Sequence, residues 1–208
     1  MVMTVRPHDL IEVADLSCLS MNEDKEWAAA SLRHAPYVVV RRASPPADSR
    51  IPVGIRGTER NQREAALLAP EGAGRIVTPY EIAERRMWNA VSVERRDLPV
   101  IRVMDKVAEL MADWRWGPAG SAGFEMATGC PSLKVTSDLD LVIDRPEAVD
   151  YAEAANLLRR LDQLEVRIDI QLETKDGAYV LREIIDRRTS TVVLRCPSGP
   201  KLVRNPWK

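Results

Sequence analysis

The chain has 208 residues, 45% apolar and 29% charged, with a net charge of −1. That length holds one sizeable domain or two small ones, and the composition is that of a folded protein rather than a disordered one. A near-neutral charge argues against a general nucleic-acid binder, and no apolar run approaches the length that spans a bilayer.

Of the 30 basic residues six are Lys and 24 are Arg. Codon usage in a high-GC genome explains most of that bias, so only particular Arg clusters bear on function. Cys18, Cys130 and Cys196 are scattered without a CxxC spacing, and His8 and His34 are the only histidines. A structural zinc site is therefore not expected. Sparse, odd-numbered cysteines fit a reducing cytosol, and the N-terminus lacks a basic stretch followed by an apolar core, so a cytoplasmic protein is expected.

In chain order, residues 37–42 (YVVVRR) and 51–55 are β-branched strands separated by the breaker stretch 44–49. Thr78-Pro79-Tyr80-Glu81 writes a helix start, with Thr as cap, Pro at the first helical position and Glu completing a capping box. The Pro/Gly-rich stretch 70–74 just before it marks the boundary between a smaller N-terminal α+β domain, residues 1–78, and a mixed α/β domain, residues 79–208. Beyond Pro99, Ile101, Met104, Val107, Ala108 and Met111 recur at helical spacing. Residues 121–128 read as a short helix closed by Gly129. Residues 138–143 (DLDLVI) read as a strand, and Asp144 and Pro146 open a helix carrying Val149, Leu157, Leu158, Leu161 and Leu164. Residues 166–173 (VRIDIQLE) alternate strictly, and Lys175-Asp176-Gly177 turns into a second strand over 178–185. A last strand covers 191–195. The fold class is α/β (α+β).

Chemistry concentrates in this second domain. Asp138 and Asp140, two residues apart on a strand, point to one face, while Leu139, Leu141 and Ile143 anchor the other. Two crowded carboxylates repel unless a cation sits between them, and Mg²⁺ accepts carboxylate oxygens while leaving positions open for phosphates. Taken alone, such a pair reads as two solvated aspartates. Asp169, however, lies on the polar face of the strand over 166–173, which the intervening helix allows to lie beside the first. Three carboxylates so placed suit a site for two Mg²⁺ ions that holds attacking and leaving oxygens in line. The competing reading of Asp169 is an exposed acid paired with Arg167 or Arg182. Upstream, the small residues 117–123 run into a helix, where Gly120 and Ser121 can present amides and a hydroxyl to phosphate oxygens; a plain N-cap at Ser121 is the bland alternative.

The ordered combination of Gly120-Ser121 opening a helix, Asp138-Leu139-Asp140 on a strand, a helix, and a strand with central Asp169 resembles the polymerase-β-like nucleotidyltransferases. That likeness implies a nucleotidyltransferase-like mixed sheet with helices, and it covers residues from about 101 to 183. The words Trp116-Gly117-Pro118-Ala119-Gly120-Ser121, Ala127-Thr128-Gly129 and Ser137-Asp138-Leu139-Asp140-Leu141 are more specific. With Arg6-Pro7-His8-Asp9-Leu10 and Gly54-Ile55-Arg56-Gly57, they resemble the phosphoribosyl-dephospho-CoA transferases of malonate decarboxylase, also called malonate decarboxylase holo-acyl-carrier-protein synthases. The resemblance implies transfer of a prosthetic group from 2′-(5″-triphosphoribosyl)-3′-dephospho-CoA to a serine of the apo acyl-carrier subunit of malonate decarboxylase, with release of pyrophosphate. No nucleic acid and no membrane partner is implied.

Such chemistry asks for Asp138, Asp140 and Asp169 as catalytic and metal ligands, with Gly120 and Ser121 on the phosphates. Arg56, Arg60 and Arg63 follow Gly54 at spacings that line one side of a turn or helix; Arg56 and Arg60 are the candidates for a triphosphate clamp, a solvated face being the alternative. Trp114 and Trp116 read as adenine-stacking or, more simply, as core. Arg159-Arg160 and Arg187-Arg188 are candidates for a basic docking rim. Two rival functions share the motif: another metal-dependent nucleotidyltransferase, such as a small-molecule or protein adenylyltransferase, and a non-catalytic nucleotide-binding module.

Overall fold

The computed structural model describes residues 4–21, 23, 25–59, 61–145, 149–186 and 190–205. The chain divides into two compact units, Met1–Thr78 and Pro79–Lys208.

In the first unit the elements run β1 (Leu10–Val13), β2 (Leu19–Met21), α1 (Glu26–His34), β3 (Tyr37–Val40), β4 (Ile51–Arg56), β5 (Arg63–Leu68) and β6 (Ala73–Val77). The strands pair in the order β2-β5-β4-β3-β1-β6, every pairing antiparallel. Ile11, Val38, Val53, Ile55, Ala66 and Leu68 form the core with Ala28 and Leu32 of α1. The stretch 70–74 belongs to the first unit. It is a 3₁₀ turn, Pro70–Gly72, feeding directly into β6, because β6 completes the sheet by pairing with β1. Of the turn and the helix open to Arg56 and Arg63, the structure has the turn: they sit opposite each other as the last pair of the β4–β5 hairpin. The β-branched run Ile51–Ile55 and its antiparallel partner override the helical reading of their spacing.

The second unit runs α2 (Pro79–Glu84), α3 (Pro99–Leu110), β7 (Trp116–Pro118), α4 (Gly120–Thr128), β8 (Leu139–Asp144), α5 (Tyr151–Leu161), β9 (Ile168–Glu173), β10 (Ala178–Val180), α6 (Leu181–Ile185), β11 (Thr191–Cys196) and β12 (Gly199–Arg204). Its sheet has the order β12-β11-β10-β9-β8-β7. Only β8 and β9 run parallel, because α5 carries the chain back between them, as a parallel pair requires. α5 is capped by Asp150, whose carboxylate accepts from the Glu153 amide at 2.8 Å. The start expected at Asp144 and Pro146 falls partly on residues 146–148, outside the described ones. The strand expected over 178–185 stops at Val180. There α6 takes over, because Leu181 and Ile184 are buried and Arg182 and Glu183 exposed, a helical spacing rather than an alternating one. Trp114 and Trp116 are buried, and Trp116 stacks on Trp88 with ring centroids 6.4 Å apart, so both serve packing. Among the described residues no helix is long and apolar enough to cross a membrane.

One buried ion pair ties down the segment between α4 and β8. Glu125, only 1% exposed, accepts from the amides of Ser132 and Leu133 at 2.7 Å each and is gripped through both its oxygens by Arg95. Arg95 also donates to the Leu133 carbonyl at 2.7 Å. Ser132 in turn donates from its hydroxyl to the Ser121 carbonyl at 2.7 Å. Burial pushes the Glu125 carboxyl up, but Arg95 and the two amides together outweigh it and leave it below the usual range.

Two expectations follow from these buried acids. Glu125→Ala leaves Arg95 and two amides without their acceptor and should cost about 3–5 kcal/mol, read as a lowered urea midpoint. Because the Glu125 carboxyl is held low, its contribution is present at neutral pH and disappears as pH falls through the lowered value. Asp9 behaves oppositely. It is 3% exposed, accepts from the Arg6 amide at 2.8 Å, and its Oδ1 has no partner among the described residues. Burial pushes its pKa from 3.8 up to about 6, against the weaker pull of the Arg6 amide, Arg6 and His8. An acid raised in the fold favours the folded state below 3.8 and loses that contribution as pH rises through about 6. Asp9→Asn should therefore melt higher than the wild type at pH about 7.5, with the gap closing below pH about 4, followed by thermal unfolding.

Candidate active site

The site is set by strand register. Asp140 of β8 lies directly beside Asp169 of β9, between the paired apolar rows Leu139↔Ile168 and Leu141↔Ile170. Neighbouring strands stand about 4.8 Å apart, so the two carboxylates share one face at close quarters. Leu139, Leu141, Ile143, Ile168, Ile170 and Leu172 fill the opposite face and are buried. Asp138, one residue before β8, is exposed. Further along this face Val142 packs with Tyr80 and Ala119, and Asp144 is neutralised by Arg115 at 2.7 Å.

Gly120 brings the start of α4 against Asp140. β7 pairs with β8, the Ala119 amide donates to the Asp140 carbonyl at 2.9 Å, and the chain turns at Gly120 with φ +58°. A Cβ there would lie 2.1 Å from Asp140 Oδ2. Glycine is thus required twice, by the left-handed backbone and by the carboxylate pressed against it. Ala119, not Ser121, occupies the N-cap, and no side chain caps the helix. Ser121 stands one residue into the helix and anchors Ser132 through its carbonyl. The first turn of α4 lies next to Asp140.

Asp169 carries a second interaction. Arg167 Nη2 stands 3.2 Å from each of its oxygens, with Nε at 3.4 Å from Oδ1. Arg182 is held instead by Asp162, at 2.5 and 3.0 Å. Among the described residues no group of three His, Cys, Asp or Glu side chains stands close enough to hold a metal ion. The in-register carboxylates Asp140 and Asp169 are hard oxygen donors of the kind a divalent cation takes. Arg56 belongs to the first unit, where its carbonyl accepts from the Ser31 hydroxyl, and Arg60 lies outside the described residues. Arg159 and Arg160 are exposed in the last turn of α5, and Arg187-Arg188 fall outside the described residues.

The sequence patterns do not reveal the Arg95–Glu125 clamp. A signal existed: Glu125 lies between Phe124 and Met126 in an otherwise apolar helix, and a glutamate in such a place is buried only when paired.

Comparison with known proteins agrees with this division of the chain. Residues 6–79 match the family model of the phosphoribosyl-dephospho-CoA transferase MdcG N-terminal domain, and residues 87–206 that of the MdcG C-terminal domain. A phosphoribosyl-dephospho-CoA transferase of Klebsiella pneumoniae is 37% identical over 205 residues, covering 98% of this chain and 97% of its own. Enzymes of the same name from Pseudomonas syringae pv. tomato and Azotobacter vinelandii are each 36% identical, covering 98% of this chain and 93% and 94% of theirs. No solved structure matches the chain. Both domain models and near-full-length relatives point the same way, and the chain belongs to the phosphoribosyl-dephospho-CoA transferase MdcG family.

Proposed function

We propose that this chain transfers the 2′-(5″-phosphoribosyl)-3′-dephospho-CoA group from its triphosphate donor to a serine of the acyl-carrier subunit of malonate decarboxylase, in the reducing cytoplasm. The observation that carries the site assignment is the in-register pair Asp140 and Asp169 with Gly120 pressed against Asp140. Family membership supports the group transferred.

In this reading the serine oxygen of the carrier bonds to the α-phosphorus, and the bond from that phosphorus to the bridging oxygen breaks. Pyrophosphate leaves with the electron pair, and the serine proton passes to a carboxylate of the face, Asp169. No enzyme nucleophile is needed, so catalysis consists of positioning and charge stabilisation. Asp138, Asp140 and Asp169 would hold Mg²⁺, which supplies charge neutralisation on the triphosphate when bound. Gly120 and Ser121 offer first-turn amides to phosphate oxygens, and the Arg95–Glu125 clamp keeps the segment leading to Asp138 fixed against α4.

The deciding experiment incubates the protein with the apo-carrier, Mg²⁺ and the triphosphoribosyl donor and reads the carrier mass. A gain of one prosthetic group supports the assignment, and an unchanged carrier with transfer to another acceptor would overturn it. Asp140→Asn should lower transfer by about 10²–10³-fold with the melting temperature kept, since it removes charge rather than packing. Gly120→Ala should cost about 100-fold, because the Cβ displaces the Asp140 carboxylate. Near-normal turnover by either variant rules out this site.

A further inference from the structure

A guanidinium shares the face that carries Asp140 and Asp169. The register that sets Asp140 beside Asp169 sets Leu139 beside Ile168. Just before that pair, the Leu139 amide ties β8 to the Arg167 carbonyl at 2.9 Å. The bond from Arg167 to Asp169 shows that the guanidinium reaches over the same face. Arg167 and Asp169 thus share a face with Asp140, and exposed Asp138 adjoins the start of β8.

Resting on the triphosphate transfer proposed above, we infer that Arg167 is the phosphate-binding group of this face. Paired with Asp169, it turns to the outer phosphates of the donor and retains the departing pyrophosphate. Two observations and one electrostatic argument carry this. First, the side chain of Arg167 is 71% exposed and Asp169 39%, and their contacts are 3.2–3.4 Å, which makes a weak, exchangeable pair. Second, nearby arginines are committed elsewhere by shorter bonds: Arg182 to Asp162 at 2.5 Å, Arg115 to Asp144 at 2.7 Å, and Arg95 to buried Glu125. Third, Arg167 loses its electrostatic reason to stay on Asp169 once that carboxylate is shared with a divalent cation, since two cations on one carboxylate repel. A phosphate group at the edge of the face then offers the planar fork a bidentate acceptor that a lysine could not match as well.

Calorimetric titration of the intact protein separates the roles, using Mn²⁺ alone and then pyrophosphate in the presence of Mn²⁺. Arg167→Ala should weaken pyrophosphate binding by about tenfold or more, and Arg167→Lys by less, since charge is kept and the fork is lost. Mn²⁺ binding alone should be unchanged or a few-fold tighter, because Asp169 is released from its partner. Pyrophosphate affinity within about twofold of the wild type, for a substitution at an exposed pair, overturns the inference. So does a wild-type protein that binds no pyrophosphate, or an Arg167→Ala protein in which Mn²⁺ binding falls in step with pyrophosphate. The carrier-mass assay on the wild-type protein keeps the two readings apart. Transfer with a null pyrophosphate result removes only the role of Arg167, whereas no transfer with the expected titrations removes the acceptor assignment and leaves phosphate binding by Arg167 standing.

Discussion

Parallel pairing of two short strands puts Asp140 and Asp169 side by side, and most of what surrounds them answers the repulsion this creates. Like charges on adjacent strands destabilise a sheet, so a fold that keeps them must spread apolar packing on the reverse face and supply positive potential on the near one. The reverse face is six buried aliphatic side chains from β8 and β9. The near face receives the N-terminus of α4 at Asp140 and the guanidinium of Arg167 at Asp169.

The approach of α4 is possible because of a chain of close contacts that begins outside the site. Gly117 lies so near α2 that a Cβ would sit 1.9 Å from the Pro79 carbonyl oxygen, which locks β7 in place. β7 then delivers Gly120 to Asp140 with no room for a side chain. On the other side of α4, Glu125 collects Arg95 and the amides of the segment leading to Asp138. The helix is held at both its start and its middle, and the site is built on rigid elements rather than on a free loop. A transferase that contributes no nucleophile depends on such positioning more than on any single reactive group.

Much of this was legible before any coordinates. The strict alternation of VRIDIQLE placed Asp169 on a polar face, and the Gly120-Ser121 step announced a helix start. Other parts were not. The run 178–185 looks strand-like residue by residue, but β10 ends where Leu181 and Ile184 can be buried at helical spacing. The spacing of Arg56 and Arg63 suits a turn or a helix alike, and only the hairpin makes them cross-strand neighbours. Glu125 stands out as an acid in an apolar helix, while its partners Arg95, Ser132 and Leu133 lie up to 30 residues away, and no local pattern names them.

What the amino-acid order determined by itself is periodicity: which faces are apolar, where helices begin, and which carboxylates share a side of their own strand. Those properties depend on residues within a few positions of one another. Tertiary structure decided which strands are neighbours and in what register. A shift of one residue between β8 and β9 would have put Asp140 beside Ile168 or Ile170 and left no paired carboxylates, while each strand kept its own alternation intact. The choice among registers is made by burial of the common aliphatic face and by the length of α5 between the strands, both of which are properties of the packed molecule and not of either strand alone.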